Sequence, residues 1–439
     1  MALKRELGLA VAIAVVCGES IALGIFLTPA AMAKSLGSPA LLLAVWLGMA
    51  LMAIAGALCY ANLAVRFPEA GGLYVYLRHF YGEQVGFVYG WMSIAVMDSG
   101  IAAALAVGAT GYLGAIVPGA DAHPALTAML LLVLVNALHY CGIQVGGHFM
   151  AFTNWLKLGL VALLIVWPVI AAHGSASNLL PFTTRRGGSD ALAMAIPLAF
   201  INAFFSYGGW WDITKLAGEI RDPERNLPRA LLLGVGAVTV VYIGLSLAFL
   251  YVVPLEQVTS NQAFVSQFGE ALFGHAGSVI LSICVLVSVI GGLTALTMAS
   301  PRVTYAMALN GNFFAPFARL HPRFNSPANA ILLQLACSLT LLGFGAFDRI
   351  ISYIIFSAVV FLALTAAAVF RLSREQRGMW FPFAPLLFIA CCGSVALMIL
   401  LRNPVSALIG VFVVLAGIPL RWRLKKTSGD SAQSLLANS

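Results

Sequence analysis

Five ionisable side chains interrupt stretches that are otherwise apolar: Glu19, Asp98, Lys157, Asp212 and Lys215. Isolated carboxyls and ammoniums in apolar surroundings can bind a charged solute, pair with one another or carry a proton. They are not arranged for covalent chemistry. No nucleophile elbow, phosphate loop or zincin helix occurs, and the seven histidines and seven cysteines form no metal-ligand spacing. The expectation is therefore no metal, no cofactor and no enzymatic activity. The cysteines all lie in apolar runs, where they read as small core hydrophobes.

Two of the carboxyls sit beside glycines. Glu19 lies in Val16-Cys17-Gly18-Glu19-Ser20-Ile21-Ala22-Leu23-Gly24-Ile25-Phe26, with Pro29 following, and Asp212 ends Phe205-Ser206-Tyr207-Gly208-Gly209-Trp210-Trp211-Asp212. A charge at the centre of a bilayer costs roughly 2.5–3.5 kcal/mol even on the lenient insertion scale. A glycine weakens a helix by about 1 kcal/mol relative to alanine. Both stretches read as helices that unwind at mid-membrane around a polar site, since freed backbone is tolerated at that depth only in a cavity or inside protein. A packing kink with each acid paired to a neighbour is the alternative.

The elements that must hold these residues follow from composition. The chain has 439 residues, 61% hydrophobic and 9% charged. Soluble proteins carry roughly 25% charged residues, so this is an all-α integral membrane protein. Apolar runs fall at about 7–33, 39–64, 81–117, 124–142, 150–173, 191–217, 229–254, 276–309, 326–346, 347–371, 381–401 and 403–421, about twelve spanning helices by length. Ser38-Pro39 is an N-cap and first-turn pair for the second span, and Pro228 is placed to start the seventh. Gly108, Gly111 and Gly114 form a small-residue packing face. The tail 427–439 is polar and expected to be disordered.

The two Gly-interrupted runs lie about 190 residues apart. Each opens a set of five spans, 7–173 and 191–371. Paired interruptions in corresponding positions mark a transporter site at the interface of two repeats, and an odd number of spans per half makes the repeats inverted. The runs within 381–421 fall outside the repeat. The net charge of +8 is scattered over short loops and is no nucleic-acid footprint. With a cytoplasmic N-terminus, Lys4, Arg5, Arg66, Arg78, Arg221, Arg225, Arg229, Arg302, Arg319, Arg323, Arg371, Arg374, Arg377, Arg421, Arg423, Lys425 and Lys426 share that side. Only Lys34, Arg185, Arg186, Arg349 and Arg402 lie opposite, so both termini are expected in the cytoplasm. Lys157, about 10 Å in from a span end, is either a snorkelling lysine or a fixed internal cation. Asp98 is equally a site residue or a structural partner.

At these residues the chain resembles the amino acid–polyamine–organocation superfamily of permeases, and within it the L-type amino acid transporter branch. The likeness covers about 7–375. It rests on Gly37-Ser38-Pro39, Trp46, Ala57-Leu58-Cys59-Tyr60, Pro68-Glu69-Ala70-Gly71-Gly72 and Phe205-Ser206-Tyr207-Gly208-Gly209-Trp210. Further pieces are Glu219 with Asp222-Pro223, Arg225 and Pro228-Arg229, then Arg302-Val303, Met307, Gly311 and Ser326-Pro327-Ala328-Asn329-Ala330.

The resemblance implies a LeuT-type fold and a sodium-independent amino acid exchanger of the cell membrane. By analogy the substrate carboxylate meets amides near Ala22, Leu23 and Gly24, and its ammonium meets carbonyls of Cys17, Gly18 and Phe205. Ser206, Gly208, Glu19 and Asp212 complete the substrate site. Phe205 matches an aromatic lid and, with Glu219, is a candidate gate. Lys157, with Ser288, matches the place of a sodium ion in sodium-coupled relatives of the fold. The family usually has Gly-Ser-Gly where this chain has Ala22-Leu23-Gly24, and Glu19 and Asp212 stand where the L-type branch is usually uncharged. Those carboxyls could hold an amine, pair with Lys157 and Lys215, or carry a proton. Proton symport of amino acids or polyamines is thus the alternative function, and a non-transporting amino acid receptor the reading from another class. No obligatory partner subunit is expected, because no cysteine falls in a clearly extracellular loop.

Overall fold

Glycine, proline and buried charge decide where the helices of this chain break. The computed structural model describes residues 3–185, 191–257, 261–343, 347–402 and 404–437. The first apolar run forms α1 (Leu9–Ser20) and α2 (Gly24–Leu36), separated by non-helical Ile21–Leu23. Then come α3 (Pro39–Arg66), α4 (Leu73–Tyr81), α5 (Glu83–Met92), α6 (Asp98–Gly114), α7 (Pro124–Tyr140) and α8 (Ile143–Ile170). The sixth run forms α9 (Leu192–Tyr207) and, after Gly208-Gly209, a 3₁₀ segment Trp210–Glu219. Next are α10 (Pro223–Val252), α11 (Asn261–Phe273), α12 (Gly277–Ala299) and α13 (Pro301–Leu309). The chain closes with α14 (Ala328–Gly343), α15 (Phe347–Ala367), α16 (Phe383–Arg402) and α17 (Pro404–Ala437).

Among the described residues, seven helical stretches are long and apolar enough to cross a membrane, and five shorter apolar helices accompany them. Outward faces are apolar, as Leu126, Leu130 and Leu134 on α7 and Leu401, Leu408 and Phe412 near the C-terminus show. Such a surface suits hydrocarbon and would be costly in water. The broken pair lies inside: α1 packs against α8, α10, α12 and the 3₁₀ segment, and α2 against α9.

Several sequence expectations are corrected. Ser38 is extended ahead of Pro39, but its hydroxyl donates to Phe182 O and Thr183 O and does not cap α3. Pro228 does not start the seventh span. That helix begins at Pro223, with Pro228 inside it, because its first charged turns need no apolar composition. The fifth span starts earlier than expected, at Ile143, since the polar run Gln144–His148 is helical too. Gly108, Gly111 and Gly114 share no packing face. A Cβ at Gly108 would meet Leu23, one at Gly114 would meet Asp121, and one at Gly111 would meet nothing within 4 Å. Steps of three residues on a 3.6-residue helix rotate about 60° each time. The backbone of α17 runs on to Ala437. Arg186 and residues 438 and 439 lie outside the described residues, as do the side chains of Arg349 and 423–437.

Candidate functional site

The ends of α1 and α2 meet the end of α9 at a cavity of about 110 Å³. A helix that stops leaves its last carbonyls and first amides without intrahelical partners, so two breaks side by side concentrate unsatisfied backbone. The structure answers much of that demand with side chains from neighbouring helices. Lys157 of α8 is fully buried, and its ammonium donates to the carbonyls of Ile21 (2.7 Å), Gly18 (2.9 Å) and Cys17 (3.4 Å). Three main-chain acceptors thus surround one buried cation that belongs to the protein. Tyr242 of α10 sets its hydroxyl 2.5 Å from both Ser20 O and Ser206 O. One hydroxyl proton serves one of these at a time, so this phenol links the two breaks. Thr28 adds a second link, 2.8 Å from the Ser206 hydroxyl.

Close backbone approach explains the glycines. Gly209 has φ +102°, a left-handed conformation that disfavours side chains, and a Cβ there would lie 2.6 Å from Glu19 Cβ. A Cβ on Gly24 would lie 2.9 Å from Ser206 Cα. Overpacking of this kind costs about 1–3 kcal/mol. Gly24→Ala is therefore expected to cut uptake about 10-fold or more and to lower the thermal midpoint, whereas Gly111→Ala, which meets open space, should leave both unchanged. Equal behaviour of the two variants in uptake and thermal unfolding would remove the argument for contact between the breaks.

The acids gather at one end of the cavity. Glu19 and Asp212 both line it, each with one buried carboxyl oxygen that accepts no hydrogen bond. Lys215, fully buried, bridges Asp98 (2.8 Å) and Asp212 (2.9 Å). Asp98 is thus paired, and it also accepts from the Ser93 hydroxyl at 2.5 Å. It directly follows a π-helical turn, Ser93–Met97, an irregularity that often marks functional positions in helices. The remaining wall is mainly apolar: Ala22, Leu23, Met97, Ile101, Leu105, Phe204, Phe205, Trp211, Leu296 and Ala358, with Ser20, Ser206 and several glycines.

The structure brings together Glu19, Ala22, Leu23, Gly24, Phe205, Ser206, Gly208 and Asp212 on the cavity wall, where the sequence suggested a substrate site. Cys17 and Gly18 lie off that wall, and their carbonyls accept from Lys157. Ser288 is fully buried and donates to Cys284 O in its own helix. Glu219 is buried in an ion pair with Arg302, Nε to Oε1 at 2.7 Å. Tyr242 had no distinguishing signal. It is one tyrosine in an unbroken apolar run, which reads as packing.

Apolar helices around an internal cavity, mainly apolar but carrying two acids at two helix breaks, define the class, a multi-pass membrane protein with an internal site. The chain belongs to the amino acid permease family, whose profile matches residues 7–418. It is a permease of the amino acid–polyamine–organocation superfamily, not an enzyme. It is 30% identical over 441 residues to the serine/threonine exchanger SteT of Bacillus subtilis (strain 168), covering 97% of this chain and 98% of that protein. It is 28% identical to the large neutral amino acids transporter small subunit 2 of Oryctolagus cuniculus, covering 96% of this chain and 80% of the rabbit protein. It is 26% identical to the Asc-type amino acid transporter 1 of Mus musculus, covering 96% and 81%.

Proposed function

We propose that this chain is a sodium-independent amino acid exchanger of the cell membrane, working by alternating access around the two broken helices. One observation carries the reading: the Lys157 ammonium seated on three carbonyls at the end of α1. A cation built into the protein leaves no need for a diffusible one there. The first amides of α2 carry the positive end of its dipole and suit a substrate carboxylate. The names of the relatives, an exchanger and two amino acid transporters, support the same class. On this reading the spans form two inverted five-helix repeats, 7–173 and 191–371, with 381–421 added and both termini cytoplasmic. Glu219 with Arg302 and Phe205 with the cavity then serve as gates on the two sides.

The chain is proposed to work without a partner subunit. Cys141 is the one cysteine with an exposed side chain among the described residues, and it sits at the end of the fourth span, cytoplasmic on this topology. The test is uptake of labelled serine, threonine, leucine and lysine into proteoliposomes free of sodium, with and without unlabelled amino acid inside. Uptake that needs internal amino acid and ignores sodium is expected. Uptake that appears only with sodium overturns the reading.

A further inference from the structure

Lys215 is committed to Asp98 and Asp212 at 2.8 and 2.9 Å, and Lys157 to main-chain carbonyls. Among the described residues no lysine or arginine lies within salt-bridge distance of Glu19. Its Oε1 is buried and accepts no hydrogen bond, and the same holds for Asp212 Oδ1 and Asp98 Oδ1. Asp212 is 3% exposed and faces the cavity. Three carboxyls (Glu19, Asp98 and Asp212) have the single cation Lys215 among them here. Neighbouring like charges in one site resist ionising together, so a proton is one way to balance the Glu19–Asp212 wall. The alternative neutraliser is a cation arriving in the cavity.

Of the carbonyls that the resemblance gives to a substrate ammonium, that of Phe205 accepts a long bond from Gly208 N at 3.3 Å, and the other two meet a lysine. Cys17 and Gly18 carbonyls accept from Lys157, and those of Ser20 and Ser206 share the Tyr242 hydroxyl. Carboxyl oxygens without donors therefore offer the strongest acceptors on the wall. We propose that Glu19 and Asp212 form a subsite where a primary ammonium group and a proton exchange, so that each bound ammonium displaces one proton. The step balances: the protonated pair plus R–NH₃⁺ gives the pair hydrogen-bonded to R–NH₃⁺ plus H⁺, released to the aqueous side that the cavity faces. The inference rests on the transport reading and names the group its site recognises. The proton then serves as a counter-species when no second substrate is available.

The other charged groups around the pair are Lys215 of the 3₁₀ segment, which joins Asp212 to Asp98 at the start of α6, and Lys157 of α8, seated on the carbonyls of Gly18 and Ile21 on either side of Glu19. Tyr89 of α5 is buried, close in sequence to Ser93, the partner of Asp98. Lys157 and Lys215 keep their partners whichever species occupies the pair, so the exchange is confined to Glu19 and Asp212.

Two probes separate the sources of the ammonium. L-leucine carries it beside a carboxylate, and 1,4-diaminobutane carries it without one. The full chain, purified in weak buffer, is titrated with each between pH 5 and 8 while a pH dye records protons. About one proton released per bound molecule is expected, with apparent affinity falling up to tenfold per pH unit on the acid side, where protons compete. Leucine alone giving this result assigns the subsite to an α-ammonium. Diaminobutane alone assigns it to amines that lack a carboxylate. Glu19→Gln and Asp212→Asn should each still bind a probe measurably while releasing no proton and showing pH-independent affinity, a combination that loss of folded protein, which removes binding itself, would not produce. Binding of either probe to the wild type with no proton release and pH-independent affinity would overturn the proposal without touching the transport reading. Failure of both probes, together with serine, threonine and lysine, to bind or be taken up would sink the transport reading and the subsite with it.

Discussion

Replacing Lys157 by alanine is expected to abolish sodium-free amino acid uptake. The ammonium holds three buried carbonyls at the point where α1 ends, and hydrogen bonds to a charged group contribute about 1.5–3 kcal/mol each. Losing them leaves the carbonyls of Cys17, Gly18 and Ile21 without that donor inside the protein. A loss of at least about 100-fold in uptake, equivalent to roughly 2.7 kcal/mol, is the expected scale. Lys157→Met separates charge from volume, because methionine refills most of the space and offers no donor. It should fall as far as alanine. The vacated carbonyls are also a fit for a small cation, so part of the alanine variant's uptake should return in sodium chloride and not in choline chloride. Uptake by Lys157→Met at the wild-type rate, with sodium absent, would show that the lysine is filler and would remove the argument for sodium independence.

Much of this site was legible in the sequence because the bilayer makes polar residues expensive. Glu19 and Asp212 stood out against apolar runs, and the glycines beside them marked the breaks that α1–α2 and α9 then displayed. Lys157 stood out for the same reason. What was not legible depends on where a side chain points. Tyr242 belongs to the site through a hydroxyl that reaches two breaks, and nothing in an unbroken helix advertises that. Asp98 turns inward after a π-helical turn that no 3.6-residue pattern encodes. Family analogy gave the Cys17 and Gly18 carbonyls to the substrate, and the sequence did not reveal that the buried lysine also donates to them. The early start of α10 was hidden because charged turns beyond the membrane look like loop.

The second large effect is expected at Glu219 and Arg302. Their side chains are 1% and 3% exposed, with Nε–Oε1 at 2.7 Å and Nη2–Oε2 at 3.2 Å. The Arg302 guanidinium also donates to Met298 O. Glu219 O accepts from Leu7 N at 2.9 Å, and Arg221 N donates to Leu7 O at 2.8 Å. The pair therefore ties the approach to α1, the end of the 3₁₀ segment and α13 into one closed end of the molecule. Removing one partner of a buried pair leaves the other charge uncompensated, at about 3–5 kcal/mol. Glu219→Gln and Arg302→Met should each lower the thermal midpoint and cut uptake at least about 10-fold. The double variant Glu219→Leu/Arg302→Met decides what the pair is for. Apolar replacement of both partners often restores stability or improves it, so the thermal midpoint should recover. If the pair is a gate that must open and re-form in each cycle, uptake stays low in that stable protein, because a greasy contact cannot be broken and remade by water on the same terms. A double variant that is stable and also transports at the wild-type rate would make the pair a structural brace, and the gate would have to be sought in other contacts of Leu7 and α13.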